Sequence, residues 1–195
     1  MRYQPDHKQE ARARMIEAAG RGFRRNGFGG IGVDGLAKEA GVTSGAFYGH
    51  FKSKQAAFRE ALLGGVDELC STILSLQADH GDAWLETFVD LYLGEKRLCT
   101  LEGSCALQSL TPDAQRADPA TKAAFEERAA RAVEAIAQGL KGEIATRDAR
   151  AWALLSLLTG AVTMARAVED EAVSARIAEA ARVAALAIAT GLSTK

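Results

Sequence analysis

The stretch from Leu36 to Lys54, LAKEAGVTSGAFYGHFKSK, constrains the fold of this chain more than any other. Leu36, Ala37 and Ala40 place apolar groups at helical spacing on one short helix, and Gly41 breaks it. Val42 follows in the turn as a residue expected to be buried. Thr43 or Ser44 can cap a second helix carrying Phe47, Tyr48, His50 and Phe51. Two short helices joined by a turn of about three to four residues containing glycine form a helix-turn-helix. In DNA-binding versions the second helix enters the major groove and presents its N-terminal side chains to base edges.

The rest of the chain is expected to be helical as well. Three prolines, abundant alanine and the lack of alternating β-branched runs in 195 residues point to an all-α protein. The net charge of −1 hides an asymmetry. Residues 1–60 hold 11 Lys/Arg against 6 Asp/Glu, a net of +5, which leaves −6 on the remainder. A basic head on an acidic body suits a polyanionic partner for the head alone. Three cysteines make no disulfide framework, so a reducing cytoplasm is the expected location. The N-terminus lacks an apolar signal segment. The longest uncharged run, Ala151–Ala165, has 15 residues, short of the ~20 that cross a bilayer.

Residues 1–7 carry no periodicity and are expected to fray. A helix from about Lys8 turns Ile16, Ala19 and Phe23 inward and stops at Asn26 and Gly27. The helix from Val33 to Ala40 follows. Ser53 reads as the N-cap of a long helix from Lys54 to about Gln77, interrupted by Gly64 and Gly65, where close packing or a bend is expected. Asp82 reads as the cap of a helix bearing Trp84, Leu85, Phe88, Leu91 and Tyr92. Gly94–Ser104 reads as a loop and CALQSL as a short helix. Asp118-Pro119 opens a helix that ends near Gly142. Two more run from about Arg147 to Val168 and from Glu171 to Thr190, the last stopped by Gly191. About nine helices result, divided at 53/54 into a three-helix head (1–53) and a helical body (54–195).

The motif AGVTSGAFYGHFKSK resembles that of TetR-type transcriptional regulators: a turn Gly-Val, a following Gly, an aromatic-Tyr pair, a His-Phe pair and a Ser-Lys in this order. MIEAAGRGFRRNGF upstream is similar to that family's first helix, so the likeness spans roughly Arg12 to Phe58. The resemblance implies a helix-turn-helix head on a C-terminal ligand-binding and dimerisation domain. It also implies DNA contacts clustered at Thr43, Ser44, Gly45, Ala46, Tyr48, His50 and Lys54. Phe47 and Phe51 are expected in the core of the head. One departure stands out: family members commonly carry Thr or Ser near the start of the Val33 helix, where this chain has Gly32. No Arg, Asn or Gln reads bases from the second helix, so groove shape or water is expected to carry more of the specificity.

The last two helices are the expected dimer interface, with Leu154, Leu155, Leu158 and Val162 meeting Ile177, Ala181, Ala184 and Ile188 in a four-helix bundle. Such a homodimer would face a pseudo-palindromic duplex with half-sites about 34–36 Å apart or a multiple of it. The resemblance further implies an unidentified small-molecule effector, for which Trp84, Phe88, Tyr92, Cys105, Phe125 and Met164 are the candidate lining. Cys105, opening a helix after Gly103 and Ser104, is an alternative signal-receiving group toward oxidants or electrophiles. Cys70 is expected to be structural. The three histidines are far apart and no catalytic or metal-ligand spacing occurs, so neither catalytic residues, a metal nor a cofactor is expected. A helical enzyme and an interaction module are the remote alternatives. The reading is a ligand-responsive, DNA-binding repressor.

Overall fold

The computed structural model describes residues 5–191, with side chains from residue 9. Among the described residues there are ten α-helices and no strand: α1 (Pro5–Gly30), α2 (Val33–Glu39), α3 (Ser44–His50), α4 (Lys54–His80), α5 (Trp84–Leu93), α6 (Glu95–Leu98), α7 (Ala106–Ala114), α8 (Pro119–Gly139), α9 (Ile144–Ala167) and α10 (Glu171–Thr190). Single 3-10 turns occupy Gly81–Ala83 and Leu101–Gly103. The expected all-α class holds. The helix beyond the expected nine is the four-residue α6, inside a segment whose mixed composition reads as loop. Residues 1–4 of the segment expected to fray lie outside the described residues, and Pro5–His7 belong to α1.

Packing divides the chain into two units, Met1–Gly65 with Leu101–Phe125, and Val66–Thr100 with Glu126–Lys195. The sequence boundary at 53/54 marks the end of the helix-turn-helix. The packing unit around it is larger, because the first turns of α4 and the whole of α7 supply its core.

In the first unit, Phe23 of α1, Leu36 of α2, Phe47 of α3, Phe58 and Leu62 of α4 and Leu110 of α7 form one buried cluster. Phe23 and Phe58 meet edge to face at 5.3 Å, a geometry that adds about 0.5–1.5 kcal/mol beyond the area buried. α1 breaks where expected: Gly27 takes φ 71°, a left-handed conformation that glycine adopts without steric cost. The N–H of Phe28 then donates to Asp113 at 2.7 Å. Arg25 reaches both Glu39 of α2 and Glu102 of the Leu101–Gly103 turn, and Arg24 Nε donates to the Glu102 carbonyl at 2.6 Å. Close packing explains Gly65, where an added Cβ would overlap the Cβ of Ala106 on α7, while Gly64 faces open space.

In the second unit, Ile73, Phe88, Ile136, Leu154 and Leu158 are fully buried. α9 and α10 form an extensive helix pair, made close by Ala178, Ala181, Ala185 and Ala189 on the buried face of α10. Trp84 Nε1 donates to the Gly139 carbonyl at 3.1 Å, and a Cβ at Gly139 would strike the indole. Arg182 pairs with Glu86 and Asp90, each at 2.7 Å. Arg166 donates to the carbonyls of Lys96, Arg97 and Cys99 and so satisfies the free end of α6.

Capping follows the sequence in most places. Ser53 Oγ accepts from Ala56 at 3.1 Å, Asp118 accepts from the N–H and hydroxyl of Thr121, and Gly191 ends α10 with φ 71°. Asp82 departs from the expectation. A 3-10 turn precedes α5, whose cap is Ala83 without a side-chain bond, and Asp82 instead pairs with Lys141 at 2.7 Å.

Candidate nucleic-acid interface

The turn between α2 and α3 is built by backbone hydrogen bonds around one glycine. Gly41 N donates to Lys38 O at 3.1 Å and Val42 N to Ala37 O at 2.9 Å. With Gly41 at φ 67°, these are the paired bonds of a Schellman cap, so the positive φ needed there explains the glycine. Thr43 lies outside α3 in extended conformation, and its Oγ1 accepts from Ala46 N at 3.2 Å. Gly32 caps α2 with no side-chain bond, as expected of a residue without a hydroxyl.

α3 divides cleanly into two faces. Phe47 and Phe51, one turn apart, are fully buried with ring centroids 4.9 Å apart. Opposite them Thr43, Gly45, Ala46, Tyr48 and Gly49 are exposed, Tyr48 by 56%. A large aromatic exposed beside two residues with almost no side chain leaves a helix face that can approach a second surface closely.

The hydroxyls on this face are partly committed. Thr43 Oγ1 acts as cap acceptor, which leaves its proton to donate. Ser44 donates its proton to Asp34 on α2, which leaves its lone pairs to accept. His50 is half-buried with Nδ1 enclosed and unbonded. Lys54 Nζ rests 4.3 Å above the ring of Phe28. Asp34 and the exposed Lys52 were not singled out in the sequence. Lys52 was legible as a charge in the segment closing the motif, whereas Asp34 gains its role only from the fold.

Residues 15–61 match the family described as bacterial regulatory proteins, tetR family. Over 63 residues the chain is 43% identical to the HTH-type transcriptional regulator TtgR of Pseudomonas putida, covering 32% of this chain and 30% of that protein. Residues 15–61 are thus a tetR-family segment. An uncharacterized HTH-type transcriptional regulator of Bacillus subtilis, YfiR, is 31% identical over 90 residues, 46% of this chain and 42% of YfiR. The matched stretch thus spans less than half the length of these curated relatives. Likeness to solved structures extends further in space than in sequence. The reduced form of E. coli NemR superposes with TM-score 0.75 at 19% identity, covering 90% of this chain and 95% of NemR. A putative TetR-family regulator from Rhodococcus gives 0.72 at 20%, covering 93% and 99%. At these identities the likeness speaks for the TetR fold alone.

The remaining residues expected at sites are distributed over both packing units. Trp84, Phe88 and Tyr92 form a buried aromatic ladder along α5, Met164 is 63% exposed, and Cys105 and Phe125 belong to the other packing unit. Of the six, Trp84 lines a cavity of about 530 Å³ in the second unit, together with Gln77, Glu86, Gly139, Lys141 and Leu186. Leu154, Leu155, Leu158 and Val162 are buried inside their own chain, as is Ala181, with Ile177, Ala184 and Ile188 half-buried. The large apolar groups that α9 and α10 expose include Ile144, Trp152, Met164, Val173 and Val183. Cys70 is half-buried, and burial pushes its thiol up from the ordinary value, in line with a structural role. Among the described residues no His, Cys, Asp and Glu cluster could hold a metal, and no helix is long and apolar enough to cross a membrane.

Proposed function

We propose that this protein is a ligand-responsive, DNA-binding transcriptional regulator that acts as a repressor and binds its operator as a homodimer. The observation that carries the reading is the two-faced α3: Phe47 and Phe51 anchor it, and Thr43, Gly45, Ala46 and Tyr48 stand free. Gly45 and Ala46 let the helix sit deep in a major groove, with the Ala46 methyl near a thymine methyl. Thr43 donates to a phosphate, and Ser44 accepts from an adenine or cytosine amino group. Tyr48, His50 and Lys54 reach phosphates, Lys54 by leaving the Phe28 ring.

The dimer partner is a second copy of the chain, seated on the face of α9 that carries Trp152, Gly160 and Met164 and on Val183 of α10. These positions on α9 recur at multiples of four, so they follow one inclined ridge that winds around the helix. A small molecule held in the second unit favours a state with weaker operator affinity, and by linkage the operator weakens ligand binding to the same degree. The test is a pull-down with DNA upstream of the protein's own coding region, then a compound screen for release. A retained fragment that no compound releases would leave DNA binding standing and end ligand response.

A second reading keeps the scaffold and moves the signal to Cys105. Its free thiol is half-buried at the start of the nine-residue α7 and makes no capping bond there. Alkylation at Cys105 that releases DNA, and its absence in Cys105→Ser, would favour this reading over a reversible ligand.

A further inference from the structure

The first packing unit contains a cleft of about 510 Å³ that neither the helix-turn-helix nor the effector reading uses. Its walls come from three places: Phe28 and Gly29 after the break in α1, Gln55 and Phe58 on α4, and Asp113 to Thr121 around the junction of α7 and α8. Phe28 and Phe58 stand edge to face at 5.2 Å and give it an aromatic wall. That volume is in the range of small-molecule sites, which combine apolar walls with a few placed polar groups.

The charges around the cleft select the sign of an occupant. Asp113, Arg116 and Asp118 line it, Asp113 and Arg116 pair with each other, and the Lys54 ammonium rests over the Phe28 ring. Asp113 is committed to the Phe28 N–H at 2.7 Å and to Arg116 at 3.7 Å, while the Arg116 side chain points largely to solvent, 73% exposed. Asp118 is exposed and accepts from the N–H and hydroxyl of Thr121, with each carboxylate oxygen keeping lone-pair capacity. Hydrogen bonds from Thr121 hold its carboxyl below the usual carboxylate value, so it is charged at neutral pH. The helix ends nearby offset one another: the C-terminus of α7 contributes negative partial charge and the N-terminus of α8 positive. The Phe28 ring already accepts a cation in this structure, the Lys54 ammonium 4.3 Å above it.

We propose that this cleft is a binding site for a small organic cation with an apolar or aromatic body, held by the Phe28 and Phe58 rings and the Asp118 carboxylate. The site lies within the first unit and shares the Phe28 ring with Lys54.

The probe is benzyltrimethylammonium, titrated into the ¹⁵N-labelled full chain, with benzyl alcohol and benzoate as neutral and anionic counterparts. The expected result is saturable shifts of the Phe28, Gly29, Ala117 and Thr121 amides with the cation, weaker ones with the alcohol and none with benzoate. Asp118→Asn keeps an N-cap acceptor, so it should preserve the spectrum and weaken cation binding about fivefold; Phe28→Leu should weaken it by a similar factor. No saturable shift at these amides, equal response to the alcohol, or undiminished affinity in a folded Asp118→Asn would each overturn the proposal.

Discussion

The Ser44 hydroxyl donates to the Asp34 carboxylate, so the first turn of α3 is tied to the first turn of α2 by a bond between two side chains. A proton that the sequence offers to DNA is therefore already placed within the protein. Asp34→Asn keeps an acceptor while removing a negative charge from the exposed side of the motif. Operator affinity should rise about threefold at low salt and the gain should shrink as salt screens it. Fluorescence anisotropy across a salt series checks this, and a loss of affinity would mean that the charge itself orders α3.

Gly64 and Gly65 are adjacent on one helix, yet the same substitution should act in opposite directions. Gly65→Ala forces a methyl against Ala106 and should cost about 1–3 kcal/mol. Gly64→Ala meets nothing and should gain about 0.5–1 kcal/mol from helix propensity. Chemical denaturation of the two variants separates packing from flexibility as the reason for the pair.

Asp118 has a folded pKa below its unfolded value, so it adds stability above the unfolded pKa, and that contribution is lost as pH falls through the folded one. Asp118→Ala should therefore flatten the acid side of the stability profile below about pH 4 and leave its alkaline side unchanged. Melting temperatures from pH 2 to 8 would show it.

Substitutions on α9 should distinguish core from interface. Met164→Lys, on the exposed face, should shift the protein toward monomer with little change in the unfolding of the chain itself. Leu158→Ala, fully buried, should cost about 2–5 kcal/mol instead. Light scattering and denaturation together check both.

These contrasts mark what the sequence conveys. The head was legible because its devices are local: Gly41 for the left-handed turn, Thr43 and Ser53 for caps, Phe47 and Phe51 one turn apart. The inner and outer faces of α9 were not. Apolar residues surround nearly the whole helix, so periodicity could not say whether Leu158 or Met164 faces the chain's own core. Asp82 misled because a 3-10 turn consumes the residues that would have let it cap α5. Trp84, Phe88 and Tyr92 form a packed ladder on α5 from which Trp84 also lines a cavity, since aromatics at helical spacing serve a core and a cavity equally well. The Phe28, Phe58 and Asp118 cleft joins residues up to 90 positions apart, beyond the reach of any local pattern.

Ala46→Glu tests the central claim most directly. Glutamate three residues after Thr43 completes a capping box, so α3 should be retained or strengthened, while a carboxylate now faces the groove. Wild-type protein should bind its upstream DNA with affinity falling steeply between about 50 and 200 mM salt. Ala46→Glu should melt no lower than wild type and lose that binding at least a hundredfold. Equal DNA affinity in the two proteins would contradict the assignment of α3 as the element that reads DNA.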